Sequence, residues 1–231
     1  MPFIKIGFPH MSRKNQFFSN YIDVIGPSGS GKSTLINSLK KSENIITQED
    51  LNQRIVPLSN EDLIIAFMDR YPNFKIKVQR LFHRYPQARK WILGLIINYM
   101  KANEGELVII DEGFVCRLNT IYSYLKSPIK KKVIYSYLDV IPKPSFVIMI
   151  KTNCIDNLLF RMEIRESGLP HRMRELNLSE RKQVIKKQMK ILEHVEAYCR
   201  ENMINTMVLD SEASLEEQLS LTVANFNREK I

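Results

Sequence analysis

The feature that most constrains this 231-residue chain is a glycine-rich loop placed between an apolar run and a helical pattern. Residues 26–34 read GPSGSGKST, a complete Walker A motif of the form G-x-x-x-x-G-K-[ST]. The apolar run Tyr21–Ile25 predicts a strand that enters the loop, and Lys32–Lys40 predicts the helix that leaves it. Such a strand-loop-helix unit is typical of α/β proteins in which the loop binds a phosphate group.

The residue types in this loop suit a phosphate, each for its own reason. Glycines let the backbone curl so that successive N–H groups point inward, and the helix adds the positive end of its dipole. Lys32 can reach the β- and γ-phosphates, and the Ser33 hydroxyl can ligate Mg²⁺. We therefore predict ATP and Mg²⁺ as cofactors. The predicted nucleotide-binding residues of the loop are Gly26, Ser28, Gly29, Ser30, Gly31, Lys32, Ser33 and Thr34.

Apolar runs alternate with helical patterns along the rest of the chain, and no hairpin signal joins two of the runs. This alternation predicts an α/β fold of the P-loop NTPase type, with a parallel sheet of about five strands and helices on both faces. The strands predicted after the first are Asn44–Thr47, Leu107–Asp111, Phe146–Ile150 and Thr206–Asp210. The helices predicted after the first are 60–104, about 114–125, 129–140, 157–165, 178–202 and 214–226. Asn60 is expected to cap the first of these, and Asn177 with Glu180 resembles a capping box.

Length and composition favour a single domain over 1–231. Hydrophobic residues make up 44% of the chain, enough for a sizeable core. Residues 1–20 are predicted to be an arm that packs on this domain.

No apolar run is long enough to span a membrane, and the N-terminal residues lack a signal-peptide pattern. Cys116, Cys154 and Cys199 lie far apart and outside any C-x-x-C, which favours free thiols in a reducing cytoplasm.

The formal net charge is +9, which leaves two interpretations open. One is a nucleic-acid partner. The other, which we favour, is a site that handles several phosphate or acidic groups on a generally basic surface. The densest basic run, at 130–132, is of the kind that usually forms a solvated helix face.

A second phosphate-site element is expected where an apolar strand ends in two acids, Asp111 and Glu112. An acid next to the phosphate loop can orient Mg²⁺, and either acid can serve in catalysis with Lys32. We predict Ser33 and Asp111 as metal ligands, the latter directly or through water, and leave open which of the two acids is the key one. Arg117 follows this strand closely, and it is the candidate that clamps the acceptor.

A basic segment follows the fourth predicted strand. Arg161 and Arg165 are four residues apart and share one helix face, and Arg172 comes after a Gly-Leu-Pro break at 168–170. A mobile segment of this kind can close over phosphates and stabilise charge on a transferring group. We predict a lid over 157–177, with Arg161 and Arg165 in catalysis and Arg161 and Arg172 in nucleotide binding. The alternative is a solvated helix whose arginines pair with nearby glutamates.

Taken in order, these motifs resemble the P-loop kinases of small molecules, especially the thymidylate kinase-like group of nucleoside and nucleotide kinases. The resemblance rests on four segments: GPSGSGKST at 26–34, LVIID at 107–111, FVIMIKTNCIDNLLFRMEIRESG at 146–168 and VLDSEASLEEQL at 208–219. It covers most of the chain from about residue 21. It implies lid arginines after the fourth strand, acceptor-binding helices within 50–104, and Asp210, Ser211 and Glu212 near the adenine.

The same resemblance implies an ATP-dependent phosphotransferase with a small-molecule acceptor. The acceptor stays open between a nucleotide, a nucleoside, a sugar and a phosphorylated metabolite, because Asp111-Glu112-Gly113 departs from the group's usual motifs. The alternative function is a P-loop ATPase or GTPase that acts as a regulatory or nucleic-acid-associated module. An ABC-type signature is missing upstream of Asp111, and the GTPase motifs are incomplete. Whether the chain forms a homodimer is also left open.

Overall fold

The computed structural model describes residues 21–43, 45–84, 86–103, 106–123, 129–166 and 168–229. The arm predicted over 1–20 therefore lies outside the described residues.

A five-stranded parallel sheet forms the centre of the described part of the chain, in the order β2-β3-β1-β4-β5. This confirms the predicted α/β fold. The strands are β1 (Tyr21–Ile25), β2 (Ile46–Thr47), β3 (Val108–Asp111), β4 (Phe146–Lys151) and β5 (Asn205–Asp210). Because β1 lies between β3 and β4, the loop that follows it opens at the middle of the sheet's carboxyl edge.

Helices connect the strands. They are α1 (Lys32–Ser42), α2 (Gln48–Gln53), α3 (Asn60–Arg70), α4 (Pro72–Arg84), α5 (Pro86–Lys101), α6 (Arg117–Tyr122), α7 (Lys131–Leu138), α8 (Ile155–Ile164), α9 (His171–Arg174), α10 (Leu178–Glu201) and α11 (Leu215–Glu229). None of the helices in the described ranges is both long and apolar enough to cross a membrane.

Alternate residues of β1 face two helical layers, as the pleat of a strand requires. Ile22 packs with Leu35 of α1 and with residues of α11. Tyr21 belongs to the larger cluster on the other face, which contains buried residues of α3, α5, α7 and α10, among them Ile96. The predicted placement of helices on both faces is confirmed.

The long helical region predicted over 60–104 is divided into three helices. Pro72 lacks a backbone N–H and disfavours helical dihedrals in the preceding residue, and Tyr71 accordingly has φ −119° and ψ 67°. The cap of α3 is Ser59 rather than the predicted Asn60. The Ser59 hydroxyl accepts a hydrogen bond from the Asp62 N–H at 3.1 Å, and the Asp62 carboxylate accepts one from the Ser59 N–H at 3.2 Å.

The break predicted near 168–170 separates α8 from α9, and Gly168 has a left-handed φ of 63°. The predicted cap of α10 is confirmed, because the Asn177 side chain accepts from the Glu180 N–H at 3.0 Å. The three cysteines are free thiols.

Candidate active site

The predicted phosphate-binding loop joins β1 to α1 at the carboxyl edge of the sheet. Gly29 has a φ of 80°, and a Cβ atom at this position would lie 2.7 Å from the Cγ of Met162 in α8. Only glycine allows the loop this conformation so close to another helix. Since α1 begins at Lys32, the N–H groups of its first turn that have no partner within the helix lie next to the loop.

The Lys32 ammonium group lies over its own loop. Its Nζ donates to the carbonyl oxygens of Gly26 at 3.1 Å and Pro27 at 3.0 Å. The positive charge of Lys32 therefore lies at the loop where the sequence predicts that phosphate binds.

The two predicted metal ligands are in direct contact. Asp111 ends β3 opposite Val24 of β1, and its Oδ2 accepts a hydrogen bond of 2.8 Å from the Ser33 hydroxyl. The other carboxylate oxygen, Oδ1, is buried without a hydrogen-bond partner in the described part of the chain. A hydroxyl and a carboxylate with a spare oxygen suit Mg²⁺, which takes one or two protein oxygens together with phosphate oxygens and water. The described residues contain no cluster of three or more His, Cys, Asp or Glu side chains that would hold a metal without phosphate.

Glu112 and Arg117 form an ion pair beside this site. The Nη1 atom of Arg117 donates to Oε2 of Glu112 at 2.7 Å. The Arg117 side chain is 11% exposed and that of Glu112 is 51% exposed, so the cation is the buried member of the pair. Glu112 has a left-handed φ of 58°, uncommon for a residue with a side chain.

One cavity of about 490 Å³ joins the loop, the acidic end of β3 and the predicted lid. Its lining residues are Ser28, Gly29, Gly31, Lys32, Ser33, Thr34, Asp111, Glu112, Arg161, Arg165, Gly168, Leu169, Pro170, His171 and Arg174. Among the residues predicted for nucleotide binding, Gly26, Ser30 and Arg172 do not line it. The structure therefore brings three separate sequence motifs to one space, and Arg174, which also follows the Gly-Leu-Pro break, lines it with them.

The arginines of the predicted lid make different contacts. Arg161 donates through Nη1 to the Ser211 carbonyl oxygen at 2.7 Å and through Nη2 to a carboxylate oxygen of Glu212. It thereby links α8 to the segment after β5 that was predicted near the adenine. The Nε of Arg165 donates to the Gly168 carbonyl oxygen at 3.2 Å.

Arg172 instead contacts Trp91 of α5. Its guanidinium carbon lies 5.2 Å from the centroid of the indole ring, and that of Arg117 lies 5.7 Å from the same ring. The sequence places Trp91 only within the helical pattern predicted over 60–104. Nothing in that pattern indicates that arginines from two distant segments meet on its ring.

Asp23, in the middle of β1, is a buried acid that the sequence analysis did not single out. Its Oδ2 accepts hydrogen bonds from the Tyr21 hydroxyl at 2.6 Å and the Val115 N–H at 2.7 Å, and the Tyr21 oxygen accepts from the Phe114 N–H at 3.1 Å. A Cβ atom at Gly113 would lie 2.6 Å from the same Oδ2. The loop after β3 is thus fastened to the strand before the phosphate loop. The sequence did contain a signal for this role, because Asp23 is a charged residue inside an otherwise apolar strand.

Burial raises the pKa of Asp23 to about 6, although the hydrogen bonds from Tyr21 and Val115 oppose this shift. Burial also raises the pKa of the neighbouring Cys116 thiol, which makes it a poor nucleophile.

No protein-family model matches the sequence, and no curated protein is similar to it in sequence. Solved structures do match. Deoxyadenosine kinase from M. mycoides, solved with products dCMP and dCDP, is 16% identical with a TM-score of 0.47, over 90% of this chain and 98% of that chain. Shikimate kinase from Bacteroides thetaiotaomicron is 14% identical with a TM-score of 0.46, over 90% of this chain and 98% of that chain.

Both matched proteins are small-molecule kinases, the class that the sequence motifs resemble. At these identities and TM-scores the likeness carries no weight for individual residues or for a substrate.

Proposed function

We propose that this protein is an ATP-dependent phosphotransferase that transfers the γ-phosphoryl group of Mg·ATP to a hydroxyl of a small-molecule acceptor. The observation that carries the proposal is the shared cavity, which is lined by the Walker A loop, the acidic end of β3 and the arginines of the lid segment. Phosphoryl transfer is catalysed mainly by positioning and by stabilising charge. A site made of loop N–H groups, a lysine, acids and arginines supplies both.

The proposed roles follow from these contacts. The loop and Lys32 hold the β- and γ-phosphates, while Ser33 and Asp111 hold Mg²⁺, which would neutralise phosphate charge. Asp111 or Glu112 accepts the proton of the acceptor hydroxyl. Arg161 and Arg165 stabilise charge on the transferring group.

The acceptor is proposed to bind on the side of the helices within 50–104, with Arg117 as its clamp. Arg117 lies between the acid Glu112 and Trp91 of α5, and this position supports the assignment. The two matched enzymes are named for different acceptors, deoxyadenosine and shikimate, so they do not select one.

We propose that the whole of 1–231 acts as one domain and that it works in the cytoplasm. The free thiols support a reducing compartment. Both acidic and basic groups line the cavity, which suits a small metabolite better than a nucleic-acid backbone.

Acceptor-dependent consumption of ATP separates this function from an ATPase or a GTPase. A kinase uses little ATP until its acceptor is added, whereas an ATPase hydrolyses ATP alone. Glu112 pairs with Arg117, the proposed clamp of the acceptor, and this pairing of an acid with an acceptor-binding residue favours the kinase. The experiment is to measure ADP production with Mg·ATP alone and with a library of hydroxyl-bearing metabolites. Fast hydrolysis that no acceptor stimulates would overturn the proposal.

Lys32→Ala should abolish the acceptor-dependent rate while the fold stays intact, because the loop loses its cation at the phosphates. Lys41→Ala is the matched control, since Lys41 is an exposed lysine of the same helix, α1. Unchanged turnover in the Lys32 variant, with the control unaffected, would remove the loop from catalysis.

A further inference from the structure

Two guanidinium groups from distant segments meet on the only tryptophan of the chain. Arg117 is the first residue of α6 and Arg172 belongs to α9. Both have their guanidinium carbons within 6 Å of the Trp91 ring centroid, at 5.7 and 5.2 Å. At such distances the electron-rich face of an indole ring attracts a cation. This cluster, the Trp91 junction, adjoins the active-site cavity through Glu112, which lines it and pairs with Arg117.

Arg117 has more hydrogen-bonding capacity than its neighbours use. A guanidinium group has five N–H donors. Nη1 donates to Glu112, but Nε is buried without a hydrogen-bond partner among the residues that the structure describes. A buried charged donor without a partner is costly, and a carboxylate that is itself 51% exposed compensates for it only in part.

An anion is the ligand that matches this junction. A carboxylate or phosphate can accept two parallel hydrogen bonds from the N–H groups along one edge of a guanidinium. Neutral groups make weaker hydrogen bonds to the same edge.

We propose that the acceptor carries an anionic group, a carboxylate or a phosphate monoester, and that this group binds at the Nε edge of Arg117 in the Trp91 junction. The inference rests on the proposed kinase function, because it names the class of its acceptor. The anion would bind close to α9, because Arg172 of that helix contacts the same ring. The acceptor hydroxyl is then directed at Asp111 and Glu112, the acids at the end of β3.

The first experiment measures anion binding without requiring any reaction. Because Trp91 is the only tryptophan, its fluorescence reports this junction. The phosphate loop is first saturated with a non-hydrolysable Mg·ATP analogue, and inorganic phosphate or acetate is then titrated at constant ionic strength, with chloride as the comparison. We expect a saturable change in emission whose Kd rises at least tenfold in Arg117→Met. No saturable change, or an unchanged Kd in that variant, would overturn the anion site.

Two further variants keep this test interpretable. Arg117→Lys retains the charge that pairs with Glu112 but loses the Nε edge, so it should fold normally and still bind the anions several-fold more weakly. Lys131→Met is the matched control, because Lys131 pairs with Glu201 at 3.0 Å and lies 4.6 Å from the Tyr135 ring centroid, outside the junction. It should bind the anions as the wild type does.

The second experiment measures phosphoryl transfer to acceptors offered in matched pairs. Each pair contains a charged and an uncharged form: a hydroxy acid and its amide, a sugar phosphate and its sugar, a nucleoside monophosphate and its nucleoside. The first pair tests carboxylates and the others test phosphates. We expect at least a tenfold higher kcat/KM for the charged member of the preferred pair, and Arg117→Met should remove that preference. Equal use of both members, or a preference that survives in the variant, would overturn the proposal.

The two experiments distinguish failure of the anion site from failure of the proposed kinase function. Anion binding that depends on Arg117 without phosphorylation of any acceptor would uphold the anion site and contradict the kinase function. Phosphorylation of neutral acceptors without an anion response at Trp91 would uphold the kinase and contradict the anion site.

Discussion

At the scale of single residues, the least expected feature is the carboxyl group of Asp23 inside a strand whose other members are apolar. It accepts from the Val115 N–H directly and, through the Tyr21 hydroxyl, orders the Phe114 N–H as well. These bonds fix the loop that leads from the acids of β3 to Arg117. The residue therefore acts on the site by positioning and not by contact with a ligand.

Replacing Asp23 should separate hydrogen bonding from charge. Asp23→Ala leaves the Val115 N–H and the Tyr21 hydroxyl without their acceptor and should lower the free energy of unfolding by about 2–4 kcal/mol. Asp23→Asn keeps an accepting oxygen and should be much less destabilising near neutral pH. Urea unfolding of both variants gives the comparison, and equal losses in the two would contradict this role.

The pH dependence of Asp23 has a definite sign. Its folded-state pKa of about 6 lies above the value of about 3.9 expected in the unfolded chain, so the folded state holds the proton more tightly. The stability that this proton contributes is present below about pH 4 and is lost as pH rises through about 6. Asp23→Asn has no proton to lose. Its stability relative to wild type should therefore rise by about 2–3 kcal/mol between pH 4 and 7, whereas parallel curves would refute the shift.

Asp111 and Glu112 are adjacent acids with different surroundings, and their variants should differ. Asp111 contacts the Ser33 hydroxyl, whereas Glu112 contacts Arg117. Asp111→Asn should lower kcat by on the order of a hundredfold or more if it organises the metal or accepts the proton. Glu112→Gln should raise KM for the acceptor more than it lowers kcat, because it releases Arg117. The reverse pattern in steady-state kinetics would exchange the two roles.

At the scale of elements, the lid segment is fastened at one end. Met173 of α9 is fully buried in a cluster with residues of α8 and α10. Arg181 of α10 donates to the Met173 carbonyl oxygen at 3.0 Å and to Glu163 of α8 at 3.1 Å. Between α8 and α9, Leu169 packs against this cluster but is only partly buried, so this stretch is the more weakly held part of the lid segment.

Proteolysis should detect this arrangement. We expect cutting near 165–175 to slow when Mg·ATP and acceptor are both bound, because closure buries the stretch. Arg181→Ala should speed cutting several-fold in the free protein, since it removes contacts among α8, α9 and α10. Lys186→Ala, an exposed lysine of the same helix, is the matched control. Cutting that neither ligands nor the Arg181 variant alters would mean that the segment does not close.

The elements show what the sequence could and could not predict. The glycine-rich Walker A motif located the phosphate loop. Hydrophobic periodicity located the strands, because burial on both faces of a parallel sheet leaves a continuous apolar run. It missed the cap at Ser59, since several neighbouring residues can cap a helix equally well. It also missed the meeting of Arg117 and Arg172 on Trp91, because contacts between distant segments leave no local pattern.

At the scale of the whole molecule, ligand binding and stability should be linked. Mg·ATP at 100 times its Kd should stabilise the folded state by about 2.7 kcal/mol, which raises the Tm of a chain of this size by roughly 5–10 °C. Lys32→Ala should lose most of this shift while its Tm without ligand stays close to wild type. Thermal unfolding followed by Trp91 fluorescence measures both. An equal shift in the variant would place the nucleotide elsewhere on the molecule.

The central position of β1 in the sheet also constrains the order in which the protein can fold during synthesis. Tyr21 pairs with Val108 and Ile22 with Phe146. The strand that precedes the phosphate loop therefore cannot pair until β3 and β4, which lie much later in the sequence, have been synthesised. Non-local pairings of this kind form slowly, and the unpaired edges of an incomplete sheet can pair wrongly with other chains. While the chain is still being synthesised, the Walker A loop exists as sequence but not as a binding site. We therefore expect Mg·ATP to assist only those folding steps that follow the emergence of β4 from the ribosome.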